Sequence, residues 1–175
     1  MASFRLRRAG PEDAALLSRL KVATFQASYR GILPDALLEG LGPADPFVGI
    51  AAWRARLLDG DVEVHVVEAG APVGFLVLTP ARPEDAPARG LLEQLYLLPG
   101  WQGQGWGKAL WQFSARRLAA LDRLPFAVAV LDGNYRARQL YESLGGREIA
   151  LRHDFDWHGR PIYERLYLVD DGLAH

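Results

Sequence analysis

The stretch that decides the fold is residues 95–108, which read Leu95-Tyr96-Leu97-Leu98-Pro99-Gly100-Trp101-Gln102-Gly103-Gln104-Gly105-Trp106-Gly107-Lys108. Its first residues are apolar enough for a central strand, residues 99–104 predict a turn, and a helical pattern begins at Gly105. Alternating glycines let the main chain approach a ligand closely, and the N–H groups at a helix start lack acceptors within the helix and attract phosphate. The stretch therefore predicts a strand–turn–helix unit that binds phosphate.

The alternative to a phosphate site is a glycine-rich turn that binds nothing. A glycine inside a helix costs roughly 1 kcal/mol relative to alanine, so several of them at a helix start favour the phosphate site. The sequence has no GxxxxGK motif followed by serine or threonine, and its GxGxG spacing differs from the GxGxxG of dinucleotide-binding folds. Both of those nucleotide sites are thus disfavoured, and the glycines alone leave the phosphate compound open.

Hydrophobic periodicity around this stretch predicts the order β, α, α, α, then β, β, β, α, β, α, β, β. The predicted strands are Phe4–Arg7, Val62–Glu68, Val73–Thr79, Leu91–Leu98, Phe126–Leu131, 147–154 and 161–169. The predicted helices are 11–28, 34–40, Ile50–Leu58, Gly105–Leu121 and Asn134–Leu144, with residues 80–88 as an exposed loop. An antiparallel hairpin before a β-α-β crossover is typical of a mixed α/β (α+β) fold rather than a doubly wound one. No linker or repeat is visible, so residues 1–175 are expected to form a single domain.

The composition disfavours several classes of protein. The 175 residues carry a formal net charge of −1, so the basic surface of a dedicated nucleic-acid binder is missing. The absence of cysteine rules out disulfides and thiolate metal sites, and the histidines have no zinc-binding spacing, so no metal is expected. No apolar run approaches the roughly 20 residues of a membrane span, and the first residues lack the apolar run of a signal peptide. We therefore expect a cytoplasmic protein with no membrane partner.

Two motifs in register resemble those of a known family. The pattern Gln102-x-x-Gly105-x-Gly107 after a Leu-Tyr-Leu-x-Pro strand resembles the acetyl-CoA signature of the GNAT family of N-acetyltransferases. Residues 134–145 resemble that family's second motif, and residues 28–35 resemble a segment common in its bacterial members. The resemblance spans essentially the whole chain. It implies acetyl-CoA as co-substrate, a homodimer as an assembly compatible with the family, and a central mixed, mostly antiparallel sheet of about seven strands flanked by helices.

The resemblance also implies which residues bind acetyl-CoA. Main-chain amides of the glycine-rich loop would bind the pyrophosphate, a role that carries over to Gln102, Gly103, Gln104, Gly105, Gly107 and Lys108. The main chain of the preceding strand would pair with pantetheine, and that strand here supplies Leu95, Tyr96 and Leu97. Asn134 matches the asparagine that hydrogen-bonds the cofactor arm.

Two positions depart from the family pattern. Trp106 stands where an aliphatic residue is usual, and Gly146 stands where many members have phenylalanine. Neither departure removes a phosphate donor, and the first is expected to change how the helix packs.

Two residues are candidates for proton transfer. Tyr141 matches the family tyrosine that protonates the departing CoA thiolate, whose conjugate thiol has a pKa of about 8–9. The alternative is that Tyr141 is an ordinary core aromatic of an amphipathic helix. Glu93 is the first candidate for the base, because some members place a glutamate on this strand, and a solvated carboxylate is its alternative. Weaker base candidates are Glu164, His153, Asp154 and Asp156.

The sequence does not identify the acceptor. Tyr29 and Trp157 are candidates to line a pocket for an apolar or cationic substrate, with packing as the alternative role of both. The leading hypothesis is transfer of acetyl to the primary amine of a small molecule by direct attack. Acetylation of a protein N-terminus or lysine stays open. So does a non-catalytic acyl-CoA-binding module, although the presence of both Asn134 and Tyr141 argues against it.

Overall fold

The computed structural model describes residues 3–171, so residues 1, 2 and 172–175 of the predicted domain lie outside the described part. Within that part the strands form one seven-stranded sheet in the order β1-β2-β3-β4-β5-β7-β6. The strands are β1 Arg5–Arg8, β2 Glu63–Glu68, β3 Pro72–Pro80, β4 Gly90–Leu97, β5 Phe126–Leu131, β6 Arg147–Trp157 and β7 Arg160–Val169. The pairs β1–β2, β5–β7 and β6–β7 are antiparallel, and β4–β5 is parallel. The predicted mixed, mostly antiparallel sheet is confirmed.

The helices follow the predicted order. They are α1 Ala14–Tyr29, α2 Asp35–Glu39, α3 Ile50–Leu58, α4 Trp106–Ala120 and α5 Tyr135–Ser143. Strand β6 runs three residues beyond its predicted end at residue 154, because a bulge between His153 and Phe155 interrupts the period-two pattern. The first predicted helix starts as a short 3-10 turn over Pro11–Asp13 before α1 begins.

By its contacts the chain divides into two compact units. Of the described residues, the first unit comprises 3–77 with Gln94–Trp106, and the second comprises Leu78–Glu93 with 107–171. The single domain predicted for residues 1–175 stays a prediction. Each unit has a hydrophobic cluster of its own, as follows.

The core of the first unit lies between two helices and two strands. Trp53 of α3 meets Phe75 of β3 edge to face, with 5.3 Å between the ring centroids. Ile50 and Leu57 pack against the same cluster, so α3 turns these residues and Trp53 toward the core. The buried members of the cluster are Ala14, Leu17, Leu20, Trp53, Val64, Val66, Phe75 and Val77.

The second unit buries all or most of each residue of β5, as its apolar sequence predicts. Leu91, Ala127 and Leu166 form a cluster there, with Ala88 and Ile149 among the residues packed against it. On α4, Leu110, Trp111 and Leu118 are fully buried, whereas Phe113 and Leu121 are only half-buried.

The loop of residues 80–88, predicted to be exposed, contains a fully buried carboxylate. Asp85 is 0% exposed. It accepts hydrogen bonds from Nη1 of Arg152 at 2.7 Å, from Nε of Arg82 at 3.1 Å and from the main-chain N–H of Arg82 at 2.9 Å. Burial acts to raise the pKa of Asp85, but these donors outweigh it and hold the pKa below its usual value. The prolines of the loop indicated a turn but not this anchor.

Replacing Asp85 by asparagine is expected to lower the free energy of unfolding by about 2–4 kcal/mol at pH 7, because two arginines lose their buried carboxylate. Since the folded-state pKa of Asp85 lies below the unfolded value of about 3.9, the ionised group stabilises the fold above that pH. The contribution is lost as the pH falls through the folded-state pKa. Urea denaturation at several pH values measures the difference between wild type and variant, which should shrink below about pH 4.

The matched control is Asp122→Asn. Asp122 forms an ion pair of the same length, 2.7 Å, with Arg89, but its side chain is 86% exposed. Its loss should change the free energy of unfolding by no more than about 0.5 kcal/mol. Equal effects of the two substitutions would contradict the role assigned to burial.

Candidate functional site

The loop between β4 and α4 has the main-chain conformation that only glycine adopts readily. Gly103 and Gly105 have φ angles of 76° and 81°, in the left-handed region. A Cβ added at Gly105 would meet nothing within 4 Å, and residues 103–105 are exposed. Helix α4 then starts at Trp106, where the N–H groups of the first turn lack acceptors within the helix. The loop therefore offers main-chain donors to an anion on its open side.

The two glutamines of the loop hold the loop itself together. Nε2 of Gln102 donates to the carbonyl oxygen of Leu97 at 2.8 Å, and Nε2 of Gln104 donates to that of Gly100 at 2.9 Å. The side-chain amide groups of both residues thus brace the loop. A phosphate contact of Gln104 would then come from its main chain, whereas the main-chain N–H of Gln102 donates to the carbonyl oxygen of Pro99 at 3.2 Å.

Two stacked indoles lie at the base of the loop. The rings of Trp101 and Trp106 are 5.0 Å apart and inclined by 28°, and Phe4 lies 5.1 Å from Trp106 on another side. Trp106 is buried by these contacts. The departure from an aliphatic residue at position 106 is thus explained by packing under the loop.

The third glycine of the loop has a packing role. A Cβ at Gly107, the second residue of α4, would lie 3.3 Å from Cδ2 of Leu140 on α5. Gly103 and Gly105 have left-handed φ angles, so the structure explains why glycine stands at all three positions. Their number alone is therefore weaker evidence for a ligand than the sequence suggested, and the exposed main chain of the loop is the better evidence.

Strand β4 approaches β3 unusually closely just before the loop. A Cβ at Gly74 of β3 would lie 2.3 Å from the carbonyl oxygen of Tyr96, and Leu98 N–H donates to the carbonyl oxygen of Val73 at 2.8 Å. The parallel pairing of β4 with β5 joins Gly90–Leu92 to Phe126–Val128. Glycine at position 74 therefore fixes where the main chain of residues 95–97 runs.

The second motif occupies the start and middle of α5. Asn134 is the N-cap of this helix, and its Oδ1 accepts a hydrogen bond from the N–H of Ala137 at 3.2 Å. A local structural role therefore accompanies the cofactor contact that the resemblance implies. Tyr141 is 7% exposed. Its ring stacks on that of Trp111 at 5.5 Å and meets Tyr167 edge-on at 6.3 Å.

The surroundings of Tyr141 include residues that the sequence did not single out. Tyr167 donates a hydrogen bond to Oε1 of Glu142 at 2.9 Å and accepts one from Nε of Arg138 at 3.2 Å. Burial is the main cause that raises the pKa of Tyr167, so its hydroxyl stays protonated at neutral pH. Gly146 donates its N–H to the carbonyl oxygen of Tyr141 at 2.8 Å, and a Cβ at position 146 would lie at the same distance from that oxygen. The departure from phenylalanine at this position is thus tied to a close main-chain contact.

An aromatic cluster of the first unit includes Tyr29 and a lysine. Tyr29 is 5% exposed, and its hydroxyl shares a hydrogen bond of 2.9 Å with that of Tyr96. Nζ of Lys21 lies 4.3 Å from the ring centroid of Tyr96 and 4.5 Å from that of Phe25. The cation in contact with these rings is thus a residue of the chain itself, and little of Tyr29 is left for a substrate to touch.

The remaining candidates belong to the second unit. Glu93 is half-buried on β4, and Trp157 is half-buried at the β6–β7 turn with its ring against His158. Of the weaker base candidates, His153 pairs with Asp156 at 3.2 Å on the surface. The pKa of Asp154 is raised, chiefly because neighbouring protein atoms displace part of the water around its carboxylate and then through the nearby charge of Glu164, although the residue itself is exposed. Each of these bases stays a prediction.

With this geometry in place, comparison with known proteins identifies the family. The family model described as "Acetyltransferase (GNAT) family" matches residues 30–146. This chain belongs to the acetyltransferase (GNAT) family. The resemblance found in the sequence is confirmed, and the expected enzyme class, an acyltransferase, is the class of this family.

Individual GNAT relatives agree with this assignment. Over 105 residues the chain is 33% identical to a Bacillus subtilis protein called Uncharacterized N-acetyltransferase YuaI. The aligned residues cover 60% of this chain and 58% of that protein. The matched stretch thus spans less than two thirds of the relative. Among solved structures, PaiA N-acetyltransferase from Thermoplasma acidophilum in complex with coenzyme A has a TM-score of 0.74 at 18% identity, covering 93% of this chain and 98% of that one.

A second solved structure comprises mutant forms of the spermidine/spermine N-acetyltransferase SpeG from Vibrio cholerae. Its TM-score is 0.66 at 18% identity, covering 98% of this chain and 95% of that one. Identities this low show that these proteins share the fold of this chain. Among residues 3–171, no cluster of three or more potential metal ligands occurs, and none of the helices is long and apolar enough to cross a membrane.

Gly74→Ala tests whether the close approach of β3 and β4 shapes the site of this GNAT protein. Because the added Cβ would meet a main-chain oxygen, β4 must shift, and we expect a loss of about 1–3 kcal/mol in the free energy of unfolding. The dissociation constant for acetyl-CoA, measured by calorimetry, should rise as well. Gly42→Ala is the control, since a Cβ there meets nothing within 4 Å. Unchanged stability and affinity in Gly74→Ala would show that the close approach is dispensable.

Proposed function

We propose that this GNAT-family protein transfers the acetyl group of acetyl-CoA to the primary amine of a small molecule by direct attack. The observation that carries the proposal is the exposed, left-handed loop of residues 103–105 at the start of α4 in a chain of this family. A pyrophosphate group needs several hydrogen-bond donors on one side. An exposed turn of this kind, followed by a helix start, supplies them from the main chain.

The loop supplies the anion-binding part of the proposal. Main-chain N–H groups of Gly103, Gln104, Gly105 and Gly107 donate to the pyrophosphate, and Lys108, exposed in the first turn of α4, adds a positive charge. The N–H of Gln102 donates to the carbonyl oxygen of Pro99 at 3.2 Å, so its predicted phosphate contact requires the exchange of that bond. The structure of PaiA, a protein of the same fold, contains coenzyme A, which supports acetyl-CoA as the donor. Longer acyl groups are not distinguished by these residues.

Strand β4 and Asn134 hold the pantetheine arm in this proposal. The main chain of Leu95, Tyr96 and Leu97 pairs with the amides of the arm, as an added strand pairs with a sheet edge. Asn134 contributes its Nδ2 group, since its Oδ1 already caps α5.

Proton transfer accompanies the formation of the amide bond and the cleavage of the thioester bond. The amine nitrogen forms a bond to the thioester carbon while the bond from that carbon to sulfur breaks. Tyr141 donates its phenolic proton to the leaving sulfur, and Glu93, directly or through a water molecule, takes the proton that the amine nitrogen must lose. The stacking of Tyr141 on Trp111 supports this assignment, because a clamped ring holds its hydroxyl in one direction.

A small-molecule acceptor is favoured over a protein. SpeG, which has the same fold, is named for spermidine and spermine, which are small amines. A role of Tyr29 or of Trp157 in acceptor binding stays a prediction, and the 5% exposure of Tyr29 limits its part in it. A cytoplasmic location and a homodimer remain predictions, as do the absence of a nucleic-acid partner and of a membrane partner.

Thiol release from acetyl-CoA tests the function directly. The amine panel is n-butylamine, benzylamine, 1,4-diaminobutane and a peptide with a free N-terminus. We expect calorimetric binding of acetyl-CoA and thiol release that depends on a small amine. Binding without release would indicate an acyl-CoA-binding module, release with the peptide alone would indicate a protein acetyltransferase, and absence of binding would end the proposal.

Tyr141→Phe should lower kcat by at least about 100-fold, because the leaving thiolate loses its proton donor. The KM for acetyl-CoA and the melting temperature should change little, since phenylalanine keeps the stacked ring. Tyr135→Phe is the matched control: Tyr135 lies on the same helix and is 68% exposed, so its variant should behave as wild type. A Tyr141→Phe enzyme with wild-type turnover would rule out the general-acid role.

A further inference from the structure

Tyr167 of β7 lies directly beside Tyr141, the proposed general acid. It is 0% exposed, and its ring meets that of Tyr141 at 64° with 6.3 Å between the centroids. The ring of Tyr141 also stacks on that of Trp111 at 5.5 Å. Tyr141 is thus in contact with one aromatic ring from α4 and one from β7.

The hydroxyl of Tyr167 binds to the helix that carries Tyr141. It donates to Oε1 of Glu142 at 2.9 Å and accepts from Nε of Arg138 at 3.2 Å. Residues 138 and 142 are four positions apart, so they lie one above the other on α5, and Tyr141 belongs to the same helical turn. One hydroxyl of the sheet therefore connects β7 to the turn of α5 that carries Tyr141.

The other contacts of this hydroxyl and of its partners strengthen the connection. Oε2 of Glu148 on β6 lies 3.5 Å from the hydroxyl, at the limit of hydrogen-bond distance, so the shorter bonds are those to α5. Nη1 of Arg138 donates to the carbonyl oxygen of Asp132 at 3.2 Å. A phenylalanine at position 167 would keep the ring beside Tyr141 but would lose both bonds to the helix. The hydroxyl thus affects where α5 lies, whereas the ring supplies the packing.

The position of α5 matters for proton transfer. The helix has only nine residues, and a helix this short is held mainly by its tertiary contacts. A shift of the helix along the sheet moves the phenol of Tyr141 with it. Because the donor oxygen must lie within hydrogen-bond reach of the leaving sulfur, a misplacement by about 1 Å can cost about 100-fold in rate.

We infer that Tyr167 is a positioning residue for the general acid Tyr141, and this rests on the proposed function. Its hydroxyl, through Arg138 and Glu142, holds α5 where the phenol of Tyr141 reaches the leaving sulfur. Tyr167 acts through Tyr141 and donates no proton to the substrate itself.

Tyr167→Phe keeps the ring and removes the hydroxyl. With the fastest amine of the panel as probe, kcat should fall about tenfold, while the KM for acetyl-CoA stays within about twofold. The melting temperature should fall by about 2–4 °C, because Arg138 and Glu142 lose a hydrogen-bond partner. Tyr163→Phe is the matched control: Tyr163 lies on the same strand and is 44% exposed, so its variant should behave as wild type.

The double variant Tyr141→Phe/Tyr167→Phe separates positioning from stability. Once the phenol of Tyr141 is gone, Tyr167 has nothing to position, so kcat of the double variant should equal that of Tyr141→Phe within about twofold. A further fall of about tenfold in the double variant would show that Tyr167 acts on the fold as a whole. That result would overturn the inference and leave the proposed function intact.

Glu142 allows a second test without a change in the core, because it is exposed. Glu142→Ala removes the acceptor of the Tyr167 hydroxyl and should lower kcat about three- to fivefold, whereas Glu142→Gln keeps an acceptor oxygen and should stay within about twofold of wild type. Wild-type kcat in Tyr167→Phe, or equal kcat in the two Glu142 variants, would overturn the inference. Wild-type turnover in Tyr141→Phe would remove the general acid and this inference with it, and a wild type that acetylates no amine would end the proposed function.

Discussion

The arrangement of the site depends on the main-chain conformation of the turn between β4 and α4. Gly103 and Gly105 both take left-handed φ angles, which residues with side chains adopt only under strain. The turn leads directly from the end of β4 into a 15-residue helix. The direction of α4, and with it the orientation of its unpaired N–H groups, is therefore set by a few dihedral angles.

Close contacts at two glycines support this turn on both sides. Before it, Gly74 admits the carbonyl of Tyr96, and after it, Gly107 admits the side chain of Leu140. These contacts join residues far apart in sequence. The site therefore requires glycine outside the motif as well: Gly74 is needed for the same reason of close contact as Gly107.

Local signals predicted most of the fold. Period-two and helical patterns gave the order of the elements, and α3 and β5 have the predicted bounds because their ends coincide with clear changes of pattern. The patterns failed where tertiary contacts decide. Nothing near Asp85 in the sequence indicates that Arg152 will reach it, and the burial of Trp111 depends on its contacts with Phe126 and Tyr141. The motif residues were found because they follow one another in the chain, whereas Gly74 carries no local signature.

The stacked pair Trp101 and Trp106 gives the protein a spectroscopic signal of its own. Two indoles 5.0 Å apart and nearly parallel couple their electronic transitions, which marks this pair off from the indoles of Trp53, Trp111 and Trp157. Because the pair spans the glycine-rich turn, any rearrangement of the turn on ligand binding changes the coupling. Circular dichroism and fluorescence therefore report on this turn without an added label.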